Sequence, residues 1–161
     1  MIEYPPKPIT DNTQVRNYRK NVVDLEDAIN ATPGSHKGDY YPLKHTFADG
    51  MYIREISMPK GALFVTKIHK FTHPYFVLKG DVSVLTEEGV IRIKAPYSGI
   101  TKAGTKRVLY CHEDTVWTTI HKTDKTDLKK IEEEVIAKNF DEIENTTKLT
   151  DFITEVQKGD N

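Results

Sequence analysis

The stretch "KIHKFTHPYFVLKG", Lys67–Gly80, carries the residues best suited to chemistry. It holds His69 and His73, four positions apart, among lysines and β-formers. Neutral imidazole is a common ligand for transition metals, and four-residue spacing is the ligand spacing of zinc-binding helices. The same two residues on strands demand a different geometry, so the elements that carry them decide what they can bind.

The centre of the chain reads as strand. From Met51 to His121, short runs such as "MYIREISM", "ALFVTKIH", "YFVLKG", "DVSVLT", "VIRIKAP", "TKRVLYCH" and "TVWTTIH" are separated by turn signals. Such runs, rich in Val, Ile, Tyr and Thr, predict an antiparallel all-β sandwich or barrel. Pro74 interrupts the His69–His73 region, which places these histidines off any helix. On either side the rhythm becomes helical. Val22, Leu25 and Ile29 predict an amphipathic helix within Asn17–Ile29, and "SHKGDYYPLKHTFADG" reads as loop ending in the turn Asp49-Gly50. Leu128, Ile131 and Val135 mark a second helix, capped by Asp124 or Thr126, and "LTDFITEVQK" a third. "YPPKPIT" predicts an extended N-terminal arm, because its prolines lack amide donors. The organisation expected is therefore an arm and short helix over 1–50, a β-barrel over 51–122 and C-terminal helices over 123–161, packed on the barrel or on a partner subunit.

Composition narrows the function classes. The chain has 161 residues, 37% of them hydrophobic, and a net charge of −1. A near-neutral balance with dispersed basic residues argues against nucleic-acid binding and against recruitment to an anionic membrane. No apolar run approaches the roughly 20 residues that cross a bilayer. "MIEYPPKPITDN" lacks an apolar export core, so cytoplasmic residence is expected. A single cysteine, Cys111, excludes an intrachain disulfide framework and reads as core filler. No Gly-rich phosphate loop and no Ser-His-Asp constellation stands out.

The β region resembles the cupin family, small jelly-roll barrels with two sequence motifs. The first motif has two histidines one residue apart, an acidic ligand four residues on and a glycine seven beyond. Gly80 fits that glycine, which puts His73 at the acidic position, His69 at the second histidine and Lys67 at the first. The second motif has a glycine followed three residues later by a histidine; Gly104 fits the glycine, and Arg107 stands at the histidine. Three of the four ligand positions are thus altered. The stretch also looks like uncharacterised cupin-like proteins of bacteriophages, which implies residence in the host cytoplasm, with virion association as a further setting.

The resemblance implies a mainly β fold, a cupin-type antiparallel jelly-roll barrel with peripheral N- and C-terminal helices. In that fold the strand beginning at His73 lies beside the final strand, which brings His121 close to His73. His69, His73 and His121 then meet at one mouth, with Lys67, Arg107 and Tyr75 beside them as ligand-binding residues, and His112 at the opposite end. Three imidazoles suit a divalent Zn, Fe, Ni or Cu ion. Lys67 and Arg107 favour a small anionic ligand instead. Ordinary hydrogen-bonded histidines in an inert barrel are the third reading. Tyr75 serves as acid, donor or packing residue, and Trp117 as core or cavity wall. The expected protein is a small metal- or anion-binding cupin, with a non-catalytic, phage-derived assembly protein as the alternative. The flanking arm and helices suggest a homodimer.

Overall fold

The computed structural model describes residues 12–144, together with 156 and 158. The expected arm "YPPKPIT" lies outside the described residues, and so does nearly all of the helix expected over "LTDFITEVQK". The first helix, α1, spans Asn12–Ala31, longer at both ends than the Asn17–Ile29 pattern. Val22 is its buried apolar anchor. The Tyr18 hydroxyl donates to the Lys106 carbonyl (2.6 Å) and reaches the Leu85 carbonyl (3.1 Å), tying the helix to the β structure.

Ten strands follow in order: β1 (Leu43–Ala48), β2 (Met51–Met58), β3 (Leu63–Val65), β4 (Ile68–His69), β5 (His73–Lys79), β6 (Asp81–Thr86), β7 (Gly89–Lys94), β8 (Tyr97–Thr101), β9 (Val108–Cys111) and β10 (Thr115–Lys122). Helix α2 (Leu128–Val135) and strand β11 (Ile136–Ala137) come next, and residues 140–144 are again helical. The strands form a five-stranded sheet in the order β1-β2-β10-β5-β8, a four-stranded sheet in the order β3-β9-β6-β7 and the pair β11-β4. All pairings are antiparallel.

Strand alternation selects the core. On β5, His73, Tyr75 and Val77 are buried while Phe76 and Leu78 face outward. One buried cluster collects Met58, Tyr75, Val77 and Trp117 from the five-stranded sheet and Val82, Val84, Ile93, Leu109 and Cys111 from the four-stranded one. Cys111 is fully buried, and burial pushes its thiol pKa up, as expected of a packing residue. Asp81, at the start of β6, accepts from Arg92 Nε (2.7 Å) and Nη2 (2.9 Å) in a bidentate pair across the β6–β7 ladder.

Three boundaries depart from the sequence reading. Residues read as loop before Asp49-Gly50 form β1, paired with β2 from Ala48↔Met51 to Leu43↔Ile56. A two-residue Asp-Gly connection is a strong hairpin signal, and the strand preceding it was masked by polar and aromatic residues that do not alternate cleanly. The region after His121 contains β11 as well as helix, because Ile136 and Ala137 pair with β4 instead of continuing α2. The cap of α2 is Asp127, whose side chain accepts from the Lys130 amide, in place of Asp124 or Thr126.

Gly80 sits between β5 and β6 with φ +107, in the left-handed half of backbone space. A Cβ there would collide with the Thr115 hydroxyl and approach Thr115 Cα to 2.7 Å and the Asp114 carbonyl to 2.8 Å. Gly80→Ala is therefore expected to destabilise the fold by about 2–4 kcal/mol, combining backbone strain with overpacking. Urea denaturation checks this; an unchanged midpoint would remove the argument.

Candidate metal centre

Three separate strands deliver the histidines. His69 ends β4, where its residue is held between two neighbours. β11 pairs Ile136 with it, and its carbonyl accepts from the Gly104 amide at 2.8 Å. Gly104, with φ +78, lets the chain turn close to His69. His73 opens β5. His121 lies near the end of β10, and the register Thr119↔Tyr75 carries it alongside His73.

The imidazoles meet. Ring centroids of His69 and His73 are 4.4 Å apart, those of His73 and His121 4.5 Å, and those of His69 and His121 5.3 Å with planes nearly parallel. One ring nitrogen from each falls within 4.8 Å of the other two. His73 and His121 are buried and His69 is half-buried.

Hydrogen bonds orient two of the rings. His73 Nδ1 lies 3.0 Å from the Phe71 carbonyl, so it is the nitrogen that carries the proton, and Nε2 keeps its lone pair for the cluster. His121 Nε2 contacts the Thr119 hydroxyl at 2.9 Å, which leaves Nδ1 for the same purpose.

Electrostatics keeps the rings neutral. Burial, followed by the charges that His73, His121, Arg54 and Arg107 would present, pushes the His69 pKa down to about 2. Burial, then His73 and Arg54, lowers His121 to about 4. His73 is also lowered, mainly by burial. Ordinary histidine would protonate through about 6.5; His69 and His121 stay in the ligand-competent form well below that, and His73 is shifted in the same direction.

The cluster lines a cavity of about 620 Å³. Of the other expected site residues, Lys67 and Arg107 also line it. Lys67 Nζ is 2.6 Å from Glu132 Oε1 on α2 and 3.5 Å from Asp39, so its charge is already matched. Arg107 has its guanidinium 5.3 Å from the Tyr75 ring centroid. Tyr75 does not line the cavity; it packs in the core, stacked on Trp117 at 4.6 Å and against Gly99. Trp117 serves both core and cavity wall. His112 lies away from the cluster, bonded to the Ser83 hydroxyl at 2.7 Å.

Residues not anticipated from sequence complete the wall. His45 Nδ1 is 2.6 Å from the Tyr52 hydroxyl, and the Tyr52 ring stacks at 5.9 Å on His121. Arg54 is paired with Asp39 at 3.0 Å. The signal for His45 and Arg54 was the Asp49-Gly50 hairpin. Extending its register backward puts His45, Phe47, Tyr52 and Arg54 on one face.

No protein-family model matches the sequence, and no curated protein matches it. Solved structures do resemble the fold. Ectoine synthase from P. lautus superposes with a TM-score of 0.50 at 10% identity, over 68% of this chain and 83% of that one. A cupin superfamily protein from Desulfitobacterium hafniense DCB-2 gives 0.46 at 12% identity, over 55% of this chain and 83% of that one. The Schizosaccharomyces pombe Cnp3 cupin domain gives 0.45 at 17% identity, over 64% and 72%. Two of these neighbours are described as cupin proteins. At these identities the likeness is one of fold alone.

Proposed function

We propose that this chain is a cupin-type jelly-roll protein that binds one divalent transition metal through His69, His73 and His121 and receives a small molecule in the adjoining cavity. The observation that carries the reading is the convergence of three buried or half-buried ring nitrogens within 4.8 Å. Three neutral imidazoles with oriented second nitrogens suit Zn, Fe, Ni or Cu. Nitrogens around a tetrahedral ion with bonds of about 2.0 Å stand about 3.3 Å apart, so the cluster needs only a modest inward rotation of its rings. Lys67 does not oppose a cation here, since Glu132 and Asp39 neutralise it. The chain's own residues hold the ion, and the cavity lets a ligand reach it. When bound, the metal supplies Lewis acidity at an open coordination position.

No described helix is long and apolar enough to cross a membrane. A cytoplasmic setting is the one we propose, in keeping with unbonded Cys111. The test is elemental analysis of untagged protein, expressed in medium supplemented with Zn, Fe, Ni and Cu. The expected result is close to one ion per chain. Less than a tenth of an ion per chain would overturn the reading.

A further inference from the structure

Arg107 is the cavity cation whose surroundings ask for a ligand. Its backbone is fixed at both groups: the amide donates to Thr66 Oγ1 at 2.9 Å, and the carbonyl accepts from the Thr66 amide at 2.8 Å. Its guanidinium lies over Tyr75, whose ring is wedged between Trp117 and Gly99. Stacking on an aromatic face holds the planar fork in place without satisfying its donors. Among the described residues, Arg107 makes no ion pair and no side-chain hydrogen bond, and its Nε is buried without a partner. The neighbouring cations differ. Arg54 is matched by Asp39, and Lys67 by Glu132 and Asp39. Lys129, at the rim, is exposed.

The cavity wall also has an apolar part. Phe64, Leu109 and Trp117 line the same cavity. Its volume of about 620 Å³ falls within the range of small-molecule sites. We propose that the cavity binds a small monocarboxylate with an apolar body, the carboxylate bridging to the Arg107 guanidinium and the body lying against Phe64, Leu109 and Trp117. A planar carboxylate fits the guanidinium fork. One half-buried cation without a partner favours one negative charge over two, and the cavity also carries the carboxylates of Asp39 and Glu132, which disfavour a phosphate dianion more than a monoanion. Arg107, His69 and His73 line the same cavity, so the bound acid group would share it with the imidazoles. This proposal shares the cavity with the metal reading and does not require the ion.

The experiment is calorimetric titration of chelator-treated full-length protein with benzoate, hexanoate, benzamide and inorganic phosphate, with metal content measured separately. Saturable binding of benzoate or hexanoate is expected, with none for benzamide or phosphate. Arg107→Gln should weaken carboxylate binding at least tenfold, and Lys67→Gln less than twofold. Arg107→Lys, which keeps charge but not the fork, should fall between parent and Arg107→Gln, and it serves as the working comparison if the glutamine variant fails to fold. In parent protein, nuclear Overhauser contacts from benzoate ring protons to Phe64 or Trp117 are expected. Failure of both carboxylates to bind, equal weakening by Lys67→Gln, or tighter binding of phosphate would overturn the proposal. An ion-free protein that binds benzoate, or a metal-loaded one that does not, separates it from the metal reading.

Discussion

His73→Ala is expected to lower metal affinity by at least about 100-fold, more than changes to groups that only orient a ligand typically produce. His73 stands between the other two rings, at 4.4 and 4.5 Å, and is itself buried. Its Nδ1 is engaged by the Phe71 carbonyl, which fixes the ring and presents Nε2 to the cluster. Without it, two imidazoles remain at 5.3 Å. Two nitrogens hold a labile ion far less well than three, because each further protein ligand displaces a water without a second loss of translational freedom. The same substitution strands the Phe71 carbonyl and opens a small cavity, so a stability loss of about 1–3 kcal/mol accompanies it. His112→Ala is the control. That ring bonds Ser83 and meets Tyr110 edge-on at 4.9 Å, away from the cluster. Isothermal titration with Zn on chelator-treated protein reads both variants. Full affinity in His73→Ala, or equal loss in His112→Ala, would sink the three-histidine centre.

The centre of this site was approached through the resemblance to the cupin motifs, whose spacings from Gly80 and Gly104 pointed to His69, His73 and Arg107. In the structure both glycines have φ above zero, His69 and His73 lie in one cluster, and Arg107 lines the same cavity. The register of β10 on β5 then follows from antiparallel pairing, and it brings His121 to His73. The periphery was less legible. In β1 the alternation covers only Leu43 to Thr46, its inward positions are half-buried at most, and one of them is the polar His45, so the period-2 signal is weak. β11 has only two residues and exists because β4 offers it a partner; a pairing that short has no sequence signature. Charge matching is also hidden in the sequence. The expectation that Lys67 favours an anionic ligand leaves out Glu132, which α2 places beside it across 65 positions of chain. Tyr75 illustrates the opposite limit. Alternation put it on the inner face correctly, but the depth along that face, core or cavity, depends on Gly99 and Trp117 from other strands.

Metal-free protein is expected to lose stability steadily as pH falls from about 6.5 to 5, a window above the ordinary carboxylate range. The three imidazoles have folded pKa values pushed down, His69 to about 2 and His121 to about 4, with burial the leading cause in each. In the unfolded chain they return to about 6.5. Below that value the unfolded state binds protons that the folded state refuses, and stability falls wherever the unfolded state binds more. The slope is at most about 1.4 kcal/mol per pH unit for each ring, so His69 alone contributes a loss of about 2 kcal/mol over the window. Carboxylates act in the same direction but lower on the scale. Asp81, held down chiefly by its hydrogen bond from Arg92, and Glu134, held down by Thr123 and Lys125, give up their contribution only as pH falls below the usual acid range. His69→Gln tests the assignment, since it removes one titrating ring while keeping a polar side chain. Its urea midpoint should depend less on pH than the parent's, and the two curves should converge or cross towards pH 5. Loaded metal should raise the midpoint and leave the slope in this window nearly unchanged, because rings already neutral in the folded state offer protons little competition with the ion there. A parent midpoint that stays flat from pH 7 to 5 would mean that the imidazoles protonate freely within the fold, and the neutral cluster on which the metal reading depends would be lost with it.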